Sequence, residues 1–184
     1  MFNERKVAQM AAYLIDKEGG RMSHLKLMKL LYLADREAMQ RYGVPLSGDR
    51  MVSMPHGPVL SMTLNLMDGD IESSEGGWEA WISDKENNEL STVHAVQHAE
   101  LDELSLADFD VLDAVWRQFG HMNKWAIRDY THDHCPEWKD PNGSSNPIAY
   151  EDVFLALGRT KDQAAELAAH IEAERSIDRL FAGL

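Results

Sequence analysis

The residues best suited to chemistry stand together in one late segment, His132-Asp133-His134-Cys135. Imidazole and thiolate groups bind zinc, and a cysteine becomes a nucleophile when a neighbouring histidine takes its proton. Residues this close in sequence rarely converge on one tetrahedral ion, and no second ligand cluster stands at a standard separation. The spacing therefore favours the alternative, a loop whose imidazoles hydrogen-bond to backbone groups.

The rest of the sequence gives an enzyme no further support. A cysteine protease built on Cys135 needs an orienting third group and an oxyanion hole, and the sequence identifies neither. It also has no P-loop, no dinucleotide fingerprint and no H-E-x-x-H motif. We therefore expect no catalytic residue, metal or cofactor. The enzymatic alternative is a metal-dependent hydrolase that uses His132 and His134, with His121 or His56 as a further ligand.

A second candidate for chemistry is His56-Gly57-Pro58. An imidazole beside the free N–H groups at the start of a helix suits an anion. The structural explanation is favoured, because glycine permits a bend and proline can begin a helix, where its missing N–H is not needed. We predict a short strand over 50–54 that ends at Pro55, followed by a helix from Pro58 to Met67.

Apolar residues at helical spacing predict the elements on either side of these segments. The first helix is expected over 4–17, with Asn3 as its N-cap and Gly19-Gly20 after its end. The second runs from Ser23 to about Arg41 as an amphipathic helix with a single apolar stripe. Further helices are expected from 105 to 120, from 123 to about 130, from 147 to 157, and from 160 almost to the end. The helix after Ser105 is the predicted centre of the core.

These elements indicate a mainly α fold, a single helical domain over 1–184 with a small β-strand or hairpin element. The segment 68–95 is acidic and contains glycine. It predicts a flexible loop or a two-stranded ribbon that involves 80–82 and 91–93.

Charge and composition narrow the classes of partner. The 184 residues carry a net charge of −13, with 31 acidic and 18 basic side chains. Direct binding to nucleic acid is therefore not expected, whereas a basic protein partner is favoured. No apolar run is long enough to cross a membrane, and the polar start lacks the hydrophobic region of a secretory signal. Together with a single cysteine, these features predict a cytoplasmic protein.

The chain resembles the Panacea domain, the antitoxin domain also represented by SocA-like proteins of bacteria and phages. The resemblance rests on Lys26-Leu27-Met28-Lys29-Leu30-Leu31-Tyr32-Leu33-Ala34-Asp35, on Gly57-Pro58-Val59 after a short strand, and on Thr131-His132 followed by Pro136 and Trp138. This sequence has His56 where the family pattern has an aromatic residue, and it has His134 and Cys135 as intervening residues without an assigned role.

The resemblance implies a protein that neutralises a cognate toxin, encoded beside it, by direct contact and not by catalysis. It leaves open whether the toxin is occluded or handed to a cellular AAA+ protease, and it does not identify the toxin. We expect a partner-binding surface made of Tyr32, His56, Gly57, Pro58, Thr131, His132 and Trp138. Gly57 and Pro58 would shape that surface, and Trp138 would supply apolar contact. A regulator of transcription is the remaining alternative.

Overall fold

The computed structural model describes residues 1–83 and 85–182, and the predicted mainly α fold with a small β element is confirmed. In this part of the chain the helices are α1 (Glu4–Glu18), α2 (His24–Tyr42), α3 (Ser61–Asp68), α4 (Trp78–Trp81), α5 (Leu106–Phe119), α6 (Lys124–His134), α7 (Tyr150–Ala156) and α8 (Lys161–Ala182). The strands are β1 (Arg21–Ser23), β2 (Met51–Met54), β3 (Gly57–Leu60), β4 (Glu89–Ser91) and β5 (Asn146–Pro147).

Helix α2 lies at the centre of the structure and contacts α1, α3, α5, α6, α7, β1 and β3. Its apolar residues at 27, 28, 30, 31, 33 and 34 surround the helix axis, and all of them are buried. Lys26, Lys29, Tyr32 and Asp35 are buried as well. The prediction of a single apolar stripe is therefore wrong, because a helix that is apolar on all sides belongs inside the core. The sequence predicts the helix after Ser105, which is α5, as the centre of the core, but α2 occupies that position.

Strands β2 and β3 form an antiparallel hairpin in which Met51 pairs with Leu60 and Met54 with Gly57. Strand β5 pairs with the other side of β2, so the order of the sheet is β3-β2-β5. The prediction that a helix starts at Pro58 is wrong, because Pro58 lies in β3 and the helix begins only at Ser61. Strand β3 is an edge strand, where a proline without an N–H is tolerated.

The acidic segment 68–95 is held to the rest of the protein at two places. Helix α4 packs on α1 through buried Trp78, whose backbone N–H donates to the Glu4 carboxylate at 2.8 Å. Strand β4 pairs with β1, which the sequence did not predict. The predicted ribbon exists as an antiparallel bridge between Ile82 and Thr92, whereas Ala80 lies in α4.

The later helices have different bounds from those predicted. Helix α6 continues past Tyr130 to His134, because the proline that ends regular structure stands only at 136. Pro147 lies in β5, and α7 begins at Tyr150. The predicted capping box of α8 is confirmed, since Thr160 and Gln163 exchange hydrogen bonds of 3.1 and 3.3 Å. Among the described residues, no helix has both the length and the apolar character needed to cross a membrane.

A buried chain of polar groups connects α2 to the start of α3. The N–H and hydroxyl of Ser47 donate to the Asp35 carboxylate, and the Asp49 N–H donates to Ser47 Oγ at 3.0 Å. The Asp49 carboxylate then accepts from Met62 N at 3.0 Å and from both the N–H and the hydroxyl of Thr63 at 2.8 Å. Asp49 therefore caps α3 from outside the helix.

Replacing Asp49 with alanine should lower the free energy of unfolding by about 3 kcal/mol, because α3 loses its cap and buried N–H groups lose their acceptor. Urea denaturation monitored by circular dichroism measures the change. Asp110→Ala, which removes an exposed carboxylate of α5, is the matched control and should change stability by less than about 0.5 kcal/mol. Equal effects of the two variants would contradict this role of Asp49.

Candidate functional site

The turn of the β2–β3 hairpin meets a pair of aromatic rings from the later part of the chain. The rings of His132 and Trp138 are stacked, with centroids 4.1 Å apart and an angle of 4° between their planes. Trp138 Nε1 donates to the carbonyl oxygen of Met54 at 2.9 Å, which holds the pair beside the turn. Pro55 and His56 in the turn are exposed, and both aromatic rings are half-buried. We call Pro55, His56, His132 and Trp138 the hairpin platform.

Below the platform, α2, β3 and α6 meet around Gly57. Gly57 has φ +96°, and a Cβ at this position would lie 2.9 Å from both Lys29 Nζ and Thr131 Oγ1. The buried Lys29 amine donates to the carbonyl oxygen of Pro58 at 2.6 Å. Thr131 Oγ1 donates to the carbonyl oxygen of Arg128 at 2.7 Å. Only glycine fits here, both because of its backbone conformation and because two polar side chains occupy the space.

A second buried group fixes the segment that carries Trp138. Glu137 Oε1 accepts from Tyr32 Oη and from Arg36 Nε, each at 2.7 Å. These bonds join α2 to the segment that follows α6. Two atoms of this region, Glu137 Oε2 and His132 Nε2, are buried and have no hydrogen-bond partner in the described part of the chain.

The seven residues predicted from sequence thus occupy two layers. His56, His132 and Trp138 reach the surface, whereas the others are buried. The buried ones are Tyr32, Gly57, Pro58 and Thr131. Contacts connect the two layers, so the seven predicted residues form one region. Only His56, His132 and Trp138 have side chains that are accessible to a partner. The partner-binding role of all seven stays a prediction.

Sequence reasoning missed three polar residues of this region: Lys29, Arg36 and Glu137. A helix with a single apolar stripe would leave Lys29 on its polar side, and no motif includes Glu137. The signal for Lys29 was present, because apolar residues flank it on every side of α2 and leave no polar face. No local sequence pattern indicates a role for Glu137, because its hydrogen-bond partners Tyr32 and Arg36 lie 105 and 101 residues earlier in the chain.

The histidines and the cysteine of the late segment diverge. His132 stacks on Trp138, whereas His134 is exposed and stacks on Tyr130 with centroids 4.4 Å apart. Cys135 is buried, and burial raises the pKa of its thiol to about 12, so a thiolate does not form near neutral pH. Within residues 1–83 and 85–182, no group of three or more His, Cys, Asp or Glu side chains is arranged to hold a metal ion.

The negative charge of the chain is concentrated away from the platform in sequence. The range 68–103 includes the acidic segment 68–95 and has eleven acidic residues and one lysine. It therefore carries −10 of the net charge of −13. It packs on α1 through α4 and on β1 through β4, whereas the support of the platform is built from α2, β3 and α6. No platform residue belongs to the acidic segment.

A larger groove exists elsewhere but holds none of the seven predicted residues. It has a volume of about 1030 Å³ and is lined by residues that include Phe2, Met51, Met62 and Tyr150. The hairpin contributes Met51 and Val52 of β2 to this groove, whereas the platform lies at the turn of the hairpin.

Comparison with known protein families gives a match over more than half of the chain. A family model described as the antitoxin SocA-like, Panacea domain, matches residues 27–139. The matched range begins in α2 and ends one residue after Trp138, so it contains the whole platform and its buried support. No curated protein and no solved structure matches the chain significantly.

Lys29 gives a testable pH dependence. Burial lowers the pKa of its amine to about 7 in the folded protein, while the unfolded chain keeps a value near 10.5. Between these values only the unfolded state binds the proton, so stability rises with pH, by up to about 1.4 kcal/mol per unit. Lys29→Met should remove this rise, as measured by urea unfolding from pH 7 to pH 10. The exposed-lysine variant Lys161→Met should retain it, and a wild-type curve that is flat over this range would contradict the assignment.

Proposed function

Because the chain belongs to the SocA-like antitoxin family with the Panacea domain, we propose that it neutralises a cognate protein toxin by binding it directly. The observation that carries this proposal is the hairpin platform, an exposed proline and histidine beside a stacked His–Trp pair, inside the range that defines the family. Stable protein interfaces are centred on aromatic side chains of this kind.

The platform is held in place by contacts within the protein before a partner arrives. Trp138 is held by its ring stacking and by its hydrogen bond to Met54, and the turn is held by the buried contacts of Gly57 and Lys29. A contact residue that is fixed in advance loses little conformational entropy on binding. We infer that Trp138 is the main anchor, with His56 as the adjacent contact.

The net charge of −13 favours a basic toxin. Long-range attraction of this sign raises the association rate at low salt and weakens as the salt concentration rises. The same charge disfavours a role in which the protein binds DNA through its own surface. We infer that neutralisation proceeds by contact and without catalysis.

The first experiment is to express the neighbouring gene alone and together with this protein, and to score growth and co-purification. Growth arrest that is relieved with formation of a stable complex is the expected result. Relief without a complex would instead indicate delivery to a cellular protease such as an AAA+ enzyme. A neighbouring product without toxicity would contradict its assignment as the cognate toxin.

Trp138→Ala should weaken the complex at least about 10-fold, because a central indole is lost from the contact surface. Isothermal titration calorimetry against the purified toxin measures the affinity, and circular dichroism verifies the fold. Trp125→Ala is the control, since Trp125 is an exposed tryptophan that lies on α6 but outside the platform. The placement of the interface would be wrong if Trp125→Ala lost as much affinity as Trp138→Ala.

A further inference from the structure

The stacked pair of His132 and Trp138 contains one polar atom that the fold leaves without a partner. The ring centroids lie 4.1 Å apart, and Trp138 Nε1 donates to the carbonyl oxygen of Met54. His132 Nε2 is buried and has no hydrogen-bond partner in the described part of the chain. A neutral imidazole fits this setting when its proton is on Nδ1, because Nε2 then carries only a lone pair. An imidazolium carries protons on both nitrogens, so it would bury a charged N–H that no group accepts.

The amine of Lys29 opposes a positive charge on this ring from the side of α2. Lys29 Nζ and Thr131 Oγ1 each lie 2.9 Å from the position that a Cβ would take at Gly57, so the amine is packed against the residue before His132. Lys29 takes up a proton as the pH falls through about 7. Because this amine is buried, solvent screens its charge only weakly. A protonated His132 therefore faces a buried cation.

The other charged neighbours of His132 belong to α6. Arg128 Nε donates to the Asp129 carboxylate at 2.8 Å, and both Asp129 and Asp133 are exposed. The two carboxylates raise the pKa of His132 and Arg128 lowers it. Solvent screens the exposed carboxylates, so burial and the Lys29 charge outweigh them, and the pKa of His132 lies below its usual value.

The hairpin turn and the segment after α6 complete the surroundings of the ring. His56 is the titratable residue of the turn, and both it and Lys139 are exposed. The Cys135 thiol stays protonated because burial raises its pKa to about 12, and the Glu137 carboxylate is paired with an arginine of α2. Within the described residues, none of these groups gives the buried imidazole nitrogen an acceptor.

The indole of Trp138 is the one neighbour that favours protonation through its face, since the face of an indole attracts a cation. This attraction is the weaker effect, because the pKa of His132 is lowered and burial is the largest cause. A protonated ring gains more by turning toward water, which accepts the new N–H, than by staying on the indole.

We propose that the His132–Trp138 stack is a pH-sensitive switch: the rings are stacked while His132 is neutral, they separate when His132 takes up a proton, and the platform then releases the toxin. The separation of the rings is a property of this chain alone. The release of the toxin rests on the proposed function and adds its regulation by acid.

The switch is testable in the full chain without the toxin. NMR signals of the histidine rings and of the Trp138 indole N–H are followed from pH 8 to pH 4. We expect His132 to titrate below 6.5, the value of an unfolded chain, and the indole N–H to lose its hydrogen bond with the same midpoint. Global stability is not the readout, because the protonation of buried Asp35 acts on it in the opposite direction over this range.

Three results of this titration would overturn the proposal. They are a His132 midpoint above 6.5, as attraction to the indole would produce, a His132 that does not titrate, and an indole signal that stays unchanged while His132 titrates.

Substitutions separate the switch from general effects of acid. His132→Phe keeps an aromatic ring against Trp138 without a titrating group, so the change at the indole should disappear. His134→Phe is the matched control and should keep the change, since His134 also lies on α6 and stacks on a ring, that of Tyr130, but is exposed. Lys29→Met should raise the His132 midpoint, because the buried cation is lost. A change at the indole that persists in His132→Phe would contradict the switch.

The complex with the toxin gives a separate readout. From pH 7.5 to pH 5 its affinity should fall at least about 3-fold more for the wild-type protein than for His132→Phe. An equal fall for both proteins would show that acid does not act through this stack, while the antitoxin function stands. If no neighbouring product binds the wild-type protein, the proposed function fails, and the NMR titration alone decides the switch.

Discussion

Three buried polar side chains of α2 determine where the rest of the structure lies. Lys29 donates to β3, Tyr32 donates to the segment after α6, and Asp35 accepts from the loop before β2. Each bond is buried and joins α2 to a different later segment, so the three bonds together hold those segments against one helix. The hairpin platform has no hydrophobic core of its own. Its position depends on the bonds that β3 and the segment after α6 make to α2.

This arrangement separates the buried residues that support the platform from the platform residues that face solvent. Gly57 has no room for a side chain, because Lys29 and Thr131 occupy the space where a Cβ would stand. His56, its neighbour in sequence, is exposed. A substitution at 56 therefore changes the exposed surface of the platform and leaves the core intact, whereas one at 57 disturbs α2, β3 and α6. We infer that adaptation to different partners is concentrated at the exposed positions of the platform.

Sequence patterns predicted those features that depend only on residues close together in the chain, such as helix caps. The caps of α1 at Asn3 and Gly19 are present, as is the N-cap of α5 at Ser105. Pro58 was misplaced because proline suits both a helix start and an edge strand, and only pairing with Ser53 decides between them. The platform was predicted in part, because His56, His132 and Trp138 belong to sequence motifs. The buried support of the platform was not predicted, because the hydrogen bond between Tyr32 and Glu137 joins residues 105 positions apart. No local sequence pattern indicates such a bond.

Lys29 and Asp35 are both costly to bury in their charged forms. Burial raises the pKa of Asp35 to about 7, so stability falls as pH rises from about 4 to 7, where only the folded state keeps the proton. Burial lowers the pKa of Lys29 to about 7, so stability recovers only above that value. Near neutral pH the protein therefore carries the full cost of burying both groups. Apolar residues of similar size would avoid this cost, but they would not form the bonds that set the positions of the hairpin and the loop before it. We infer that α2 retains its buried charges for the placement of the platform, at the expense of stability.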